Sequence, residues 1–207
     1  MMQQLVIDPL NIIICGVGGQ GNILASELLA SALVEKGYFT TVGETYGASQ
    51  RGGSVMSHVR VSMVRQFGPL IPFKEANVII GFEPIEILRV ARDYGNTDTI
   101  IIFDPRPNYP LGVLIGEAVY PEIAAIEREL QALCGNVQIV DATKIAIEAG
   151  NPQAANITIM GSLTALPEVP LDLADYYDIL KTRFSGSVLE LNEKVFKLGY
   201  EALTIRS

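Results

Sequence analysis

The chain has 207 residues, which is enough for one α/β domain, or one domain with a helical extension, that buries about 70% of its unfolded surface. Its net charge of −8 at pH 7 argues against nonspecific nucleic-acid binding, because a protein that neutralises phosphates needs a basic surface. Although 49% of the residues are hydrophobic, the apolar runs have the length of strands and are far short of the roughly 20 residues that span a bilayer, so no membrane partner is expected.

Two further features bear on the compartment and on metal chemistry. The first ten residues, MMQQLVIDPL, lack the basic region, apolar core and cleavage site of a signal peptide, which predicts a cytoplasmic protein. Cys15 and Cys134 lie far apart in the sequence and form no C-x-x-C pair. We therefore expect neither a zinc site nor an iron–sulfur cluster from these cysteines, and any iron–sulfur chemistry would belong to another chain.

A glycine-rich loop follows the first predicted strand, at residues 11–15, and precedes a predicted helix over residues 21–36. Within this loop, Gly16, Gly18 and Gly21 have G-x-G-x-x-G spacing, with Gly19 between them. Such glycines permit a tight turn and a close backbone approach, and the helix N-terminus behind them favours a phosphate or carboxylate. The motif predicts an anion site, with a purely structural turn as the alternative.

Two nucleotide sites can be tested against this loop. A Walker A loop needs Lys and Ser or Thr directly after the last glycine, but Asn22 and Ile23 follow it, so ATP hydrolysis is not expected. A Rossmann NAD site needs an acidic residue about 20 positions further on. Glu35 has that spacing but lies within the predicted helix, and Glu44 comes several residues late. An independent NAD(P)-binding oxidoreductase is therefore an alternative, although neither carboxylate has both the expected spacing and the expected position.

The rest of the chain alternates between strands and helices. Further strands are predicted at residues 39–43, 54–63, 77–82, 99–103 and 137–140, with a polar, glycine-rich loop over 44–53. Helices are expected to begin with Pro84 and Pro121 at their first positions, and another runs from Asp141 to Gly150, before Pro152. Three more are predicted at 154–166, 172–184 and 187–200. This order predicts a mostly parallel, Rossmann-like sheet with helices on both faces and a helical C-terminal part, in a single domain spanning 1–207.

The loop before the second long strand carries a candidate anion ligand, Arg51. Its guanidinium offers five donors in a fixed fork that suits phosphate or carboxylate, and the alternative is an exposed arginine in a turn. Glu44 and Glu83, each at a predicted strand end, are candidates to pair with Arg51 or to orient a partner, or are solvated caps. Including both loops, the candidate ligand-binding residues are Gly16, Gly18, Gly19, Gly21, Gln50, Arg51, Gly52, Gly53 and Ser54.

No self-sufficient catalytic set is evident. His58 is the single histidine, and the alternation of its strand places it with Met56 and Arg60, opposite Val55 and Val59. We expect it to be structural or interfacial. The sequence contains no H-E-x-x-H, no G-x-S-x-G and no Ser/His/Asp order of a known kind, so no catalytic or metal-ligating residues are assigned.

Four segments together carry a family resemblance: GVGGQGNILASELLASAL, GETYGASQRGGSVMSHVR, ANVIIGFEPIEILR and VDATKIAIEAGNPQAANITIMGSL. They resemble the small, or beta, subunit of indolepyruvate ferredoxin oxidoreductases, which corresponds to the gamma-type domain of 2-oxoacid:ferredoxin oxidoreductases. The resemblance covers residues 9–200. It does not assign ligand contacts to single residues.

The resemblance implies oxidative decarboxylation of an aryl pyruvate with coenzyme A as co-substrate, giving an acyl-CoA and passing electrons to ferredoxin. It also implies that thiamine diphosphate, Mg²⁺ and the iron–sulfur clusters belong to a large (alpha) subunit, and that this chain alone binds none of them. A small subunit for pyruvate or 2-oxoglutarate is an alternative. From composition, we expect the isolated chain to self-associate through an exposed apolar patch.

Overall fold

The computed structural model describes residues 3–46 and 53–204, and a six-stranded sheet forms its centre. The strands are β1 (Leu10–Val17), β2 (Phe39–Tyr46), β3 (Ser54–Ser62), β4 (Val78–Gly81), β5 (Ile100–Phe103) and β6 (Asn136–Ile139). Their order is β2-β3-β1-β4-β5-β6, and β3 is antiparallel to both of its neighbours, whereas β1, β4, β5 and β6 pair in parallel. The predicted mostly parallel α/β architecture is confirmed.

Helices cover both faces of this sheet, as predicted. They are α1 (Asn22–Glu35), α2 (Pro84–Tyr94), α3 (Leu111–Leu114), α4 (Ile123–Leu133), α5 (Ala142–Glu148), α6 (Ala155–Thr164), α7 (Leu173–Arg183) and α8 (Gly186–Thr204), with a 3₁₀ turn at Pro152–Ala154 before α6. None of the helices in the described part of the chain is both long and apolar enough to cross a membrane.

The sheet separates two apolar cores because its central strands are buried on both faces. All eight residues of β1 are buried, with Ile12 and Ile14 facing one core and Ile13 and Cys15 the other. The first core is closed by α1 and by the helices from α5 onwards, and the second by α2, α4 and Ile71. This two-sided burial explains why the strands read as continuous apolar runs.

Two glycines let α6 and α8 cross at close range. A Cβ atom on Gly161 would overlap the carbonyl oxygen of Phe196, and one on Gly199 would overlap that of Thr158. The Ser162 hydroxyl also donates a hydrogen bond to the Gly199 carbonyl oxygen at 2.8 Å. This packing fixes α6, whose first turn lies beside the glycine loop.

Several predicted boundaries are wrong. β1 runs from Leu10 to Val17, so Gly16 belongs to the strand rather than to the loop, and α8 continues to Thr204. β2 continues to Tyr46, because Glu44 and Thr45 pair with β3 in an extended antiparallel ladder, so residues 44–46 are not loop. α4 begins at Ile123 with Glu122 as its N-cap, and Pro121 precedes the helix. The neighbouring Tyr120 is tied to Glu83 by its hydroxyl, which keeps this segment extended before the helix starts. The prediction of Pro84 as the first residue of α2 is confirmed.

Candidate functional site

The side chain of Gln20 closes the glycine loop between β1 and α1. Its amide oxygen accepts a hydrogen bond from the Val17 N–H at 2.7 Å, and its amide nitrogen donates to the Phe82 carbonyl oxygen at 2.9 Å. A Cβ atom on Gly16 would lie 2.6 Å from the Gln20 amide oxygen, so only glycine leaves room for this side chain. The loop is thereby held against the end of β4.

The same loop leaves the N-terminus of α1 without a side-chain cap. Gly19 and Gly21 have left-handed backbones, with φ of 101° and 84°, and Gly21 is the N-cap of the helix. The first backbone N–H groups of any helix lack an intrahelical acceptor, and because Gly21 has no side chain, those of α1 are not capped by one. These donors and the positive end of the helix dipole suit a phosphate or carboxylate.

A polar cavity of about 600 Å³ opens beside this helix terminus, at the carboxyl edge of the parallel strands. Gly19, Gln20 and Gly21 form one wall. The remaining wall comes from the end of β4, the segment after β5, α5 and the start of α6, and its residues are Phe82, Asp104, Arg106, Pro107, Asn108, Thr143, Pro152, Gln153, Ala155 and Asn156. Ligands of open α/β sheets bind in such a crevice, where consecutive strands diverge to opposite sides.

Asp104 is a buried carboxylate in the wall of this cavity, with only 4% of its surface exposed. Its Oδ2 atom accepts hydrogen bonds from the Thr143 backbone N–H, at 2.9 Å, and from the Thr143 hydroxyl, and its Oδ1 atom accepts the Arg106 backbone N–H at 3.4 Å. Burial raises the pKa of Asp104, and the bonds from Thr143 oppose that shift. Asp104 therefore caps the first turn of α5, whereas Asp141, at the N-cap position, makes no side-chain cap bond.

Glu83, one of the predicted site carboxylates, is buried rather than solvated, with 2% of its surface exposed. Its side chain accepts the backbone N–H of Glu86 at 2.9 Å, which caps α2, and that of Asn108 at 3.3 Å. It also accepts the hydroxyl of Tyr120, whose pKa is raised by burial and by this carboxylate. Glu83 thus holds both ends of the segment from Asn108 to Tyr120.

The described part of the second predicted loop lies directly against the first. The Gly18 N–H donates to the Gly53 carbonyl oxygen at 2.8 Å. The Ser54 hydroxyl donates to the Glu86 carboxylate at 2.6 Å and accepts a bond from Arg89, which also pairs with Glu86 at 2.8 Å. Residues Gln50, Arg51 and Gly52 lie outside the described residues, so their proposed contacts are not observed.

Glu44 lies away from the cavity. Its side chain lines a separate depression between α1 and α7, together with Val42 of the same strand and Arg183 of α7. Glu44 therefore lies on a different surface from Gly19 and Gly21. This position does not suit a carboxylate that binds the ribose of an NAD held by the glycine loop.

The side chains of His58 and Arg60, on one face of β3, contact other parts of the chain. His58 is fully buried, its Nδ1 atom accepts the Ile71 N–H at 3.3 Å, and its ring packs in a T-shaped arrangement with Tyr94, with centroids 5.3 Å apart. Arg60 donates to the carbonyl oxygens of Gly68 and Leu70 at 3.2 and 3.1 Å. These contacts hold the connection between β3 and β4 against the sheet, so His58 is structural, and its face of β3 is covered by the chain itself.

The described residues show no metal site. Among them, no group of three His, Cys, Asp or Glu side chains is placed to hold a metal ion. Cys15 and Cys134 are buried, unpaired thiols in the second core. Burial raises the pKa of Cys15, so it is not a reactive thiolate.

Sequence reasoning missed the segment from Asp104 to Asn108, which provides a whole wall of the cavity. A signal was available, since an acidic residue directly after an apolar strand lies at the carboxyl edge of a parallel sheet. The contribution of Asn156 had no such signal, because it lies 135 residues after Gly21, to whose carbonyl oxygen it donates at 3.4 Å.

Comparison with known proteins identifies relatives over nearly the whole chain. Residues 11–202 match the model of a family described as pyruvate ferredoxin/flavodoxin oxidoreductase. Indolepyruvate oxidoreductase subunit IorB from Archaeoglobus fulgidus is 38% identical over 92% of this chain and 94% of its own length. The IorB subunit from Pyrococcus horikoshii is 37% identical over 93% and 95%. By contrast, pyruvate synthase subunit PorC from Methanothermobacter thermautotrophicus is 23% identical, over 91% of this chain and 92% of its own length.

Solved structures share the fold. A 2-oxoglutarate:ferredoxin oxidoreductase from Magnetococcus marinus, with 2-oxoglutarate, coenzyme A and succinyl-CoA bound, superposes with a TM-score of 0.73 and 20% identity. The match covers 98% of this chain and 32% of that longer chain.

Proposed function

Because this chain belongs to the pyruvate ferredoxin/flavodoxin oxidoreductase family, we propose that it is the small subunit of an enzyme that oxidises indolepyruvate or a related aryl pyruvate. Family membership shows that the chain is a subunit of a 2-oxoacid:ferredoxin oxidoreductase. The identity of the substrate is our inference. The observation that carries the inference is the 38% identity to an IorB subunit over almost all of both chains, against 23% to a pyruvate synthase subunit.

In the proposed reaction, the carboxylate of the 2-oxoacid leaves as CO₂ and the remaining acyl group forms a thioester with coenzyme A. Two electrons pass to ferredoxin and one proton is released, which balances the equation. A thiamine-diphosphate site usually has a Gly-Asp-Gly that begins its metal-binding stretch, and no Gly-Asp pair occurs in this sequence. The described residues also include no group of three side chains placed to hold a metal ion. We therefore assign thiamine diphosphate, Mg²⁺ and the clusters to a large partner subunit, through which ferredoxin is reduced.

The role that we propose for this chain is to bind coenzyme A in the 600 Å³ cavity. The uncapped N-terminus of α1 suits the diphosphate, because backbone N–H groups and the helix dipole both favour a negative charge there. The left-handed backbones of Gly19 and Gly21 allow the close approach that such a ligand needs. Arg51 is proposed to contact the coenzyme A phosphates or the substrate carboxylate, and it lies in the segment just before Gly53, which contacts Gly18.

The test is reconstitution with the large subunit of the same organism. Ferredoxin reduction is measured with coenzyme A and a panel of indolepyruvate, phenylpyruvate, pyruvate and 2-oxoglutarate. We expect no turnover by the isolated chain, and turnover by the complex with kcat/KM highest for indolepyruvate. A preference for pyruvate or 2-oxoglutarate would refute the substrate assignment, and turnover by the isolated chain would refute the division of labour.

The state of the isolated chain is tested by light scattering. Several large apolar side chains in the segment that connects β5 to α4 are exposed, among them Leu111, Leu114 and Val119. We expect the isolated chain to self-associate through such surfaces, and the large subunit to replace this self-association with a defined complex. A strictly monomeric chain at high concentration would contradict this expectation.

A further inference from the structure

The segment after β5 presents Arg106 to the cavity on a fixed backbone. The Asp104 N–H donates to the Gly81 carbonyl oxygen at 3.0 Å, and the Asn108 N–H donates to the buried Glu83 carboxylate at 3.3 Å. Between these two anchors, the Arg106 N–H donates to the Asp104 carboxylate. The backbone on both sides of Arg106 is therefore held by the ends of β4 and β5.

The side chain of Arg106, in contrast, has no partner among the described residues. Its guanidinium takes part in none of the ion pairs or side-chain hydrogen bonds found there. Asp104 lines the same cavity, but its oxygens accept bonds from Thr143 and from the Arg106 backbone, and it forms no ion pair with the guanidinium. Other arginines are engaged, such as Arg60 with backbone carbonyls and Arg89 with Glu86.

Arg106 therefore combines a fixed backbone with an exposed guanidinium that is unpaired in the described part of the chain and is available to bind an anion. Within the described residues, Arg106 is the one cationic side chain that lines the cavity, whereas the chain as a whole has a net charge of −8. The glycine loop at the N-terminus of α1 lines the same cavity. A ligand that uses the helix terminus for one anionic group would bring a second anionic group to Arg106.

We propose that Arg106 binds the phosphate monoester on the ribose of coenzyme A and so distinguishes coenzyme A from dephospho-coenzyme A. This inference rests on the proposed coenzyme A function of the cavity. A phosphate monoester carries close to two negative charges at neutral pH, and the guanidinium fork matches its oxygens in a bidentate manner. The diphosphate, with one charge on each phosphorus, suits the backbone donors of the glycine loop.

The experiment uses the assembled complex and measures binding of coenzyme A and dephospho-coenzyme A by calorimetry. The wild-type complex should bind coenzyme A about 10- to 150-fold more tightly, the range expected for a hydrogen bond to a charged group. Arg106→Gln should reduce coenzyme A affinity by that factor, leave dephospho-coenzyme A affinity unchanged and so abolish the preference. Arg106→Lys should restore part of it, because the charge is kept and the fork is lost.

The matched control is Arg128→Gln, an equal change of charge at an exposed position of α4. It should leave both affinities unchanged, and melting temperatures of all variants should match the wild type. Equal wild-type affinity for both ligands, or equal weakening of both by Arg106→Gln, would overturn the assignment of Arg106 while the coenzyme A site stands. Failure of the wild-type complex to bind either ligand would overturn the proposed coenzyme A function itself.

Discussion

Gly21→Ala tests whether the glycine loop is limited by backbone conformation or by its contact with α6. Gly21 has a left-handed φ of 84°, and a Cβ atom there would overlap the amide nitrogen of Asn156 and lie 3.1 Å from its Cγ. Gly19 is the natural control, since its φ is 101° but a Cβ atom would meet nothing within 4 Å. Gly19→Ala therefore reports the backbone cost alone, and Gly21→Ala adds the contact.

The magnitudes follow from these two contributions. A side chain in the left-handed region costs about 1–2 kcal/mol at either position. In Gly21→Ala, Asn156 must also move, which endangers its bonds with the Gly21 carbonyl oxygen and the Ile157 N–H, at about 0.5–1.5 kcal/mol each. The loss of unfolded-state entropy from Gly to Ala is the same for both variants and cancels. For a chain of this length, 1 kcal/mol corresponds to about 2–4 °C in Tm.

We expect thermal unfolding to show a decrease in Tm of about 3–6 °C for Gly19→Ala and about 6–12 °C for Gly21→Ala, from about 1.5 and 3 kcal/mol respectively. The double variant Gly21→Ala/Asn156→Ala removes the overlapping amide. Its loss of stability should therefore be smaller than the sum of the losses in the single variants Gly21→Ala and Asn156→Ala. Equal Tm values for Gly19→Ala and Gly21→Ala, or strict additivity in the double variant, would refute the packing argument.

Three further outcomes are expected. Arg60→Glu should lower the free energy of unfolding by about 1–3 kcal/mol, because its guanidinium holds the Gly68 and Leu70 carbonyls, and an unchanged Tm with weakened subunit assembly would contradict this structural role. Arg51→Ala should weaken binding of coenzyme A or of the substrate in the assembled complex by about 10- to 150-fold. Wild-type affinities for both ligands would show that Arg51 contacts neither of them. Burial, and secondarily the charge of Arg60, lower the pKa of His58, so the unfolded chain binds a proton that the folded chain excludes, and the free energy of unfolding should decrease as the pH falls below the ordinary value of 6.5. Denaturant titrations between pH 7 and 5 should show a flatter dependence for His58→Gln, and an unchanged slope would count against this assignment.

The sequence by itself determined most of the elements and their kinds, because these depend on neighbouring residues, but the short helix α3 was not predicted. Continuous apolar runs predicted strands that are buried on both faces, and Pro84 predicted the first residue of α2. The glycine spacing predicted a turn between β1 and α1, and the left-handed Gly150 that follows α5 agrees with its predicted end. The family was also evident from four local segments, since their motifs are continuous in the chain.

Tertiary structure decided which of these residues meet. The bond from Asn156 to Gly21 joins residues 135 positions apart, and the Glu83 carboxylate reaches the Asn108 N–H 25 positions away. In the sequence, Arg106 is one arginine among several, whereas the fold places it in the wall of the same cavity as the glycine loop, with a guanidinium that is unpaired among the described residues. Local pattern encodes an element and its buried face, whereas a ligand cavity is formed by loops from several strand ends, whose mutual positions depend on sheet order and helix packing.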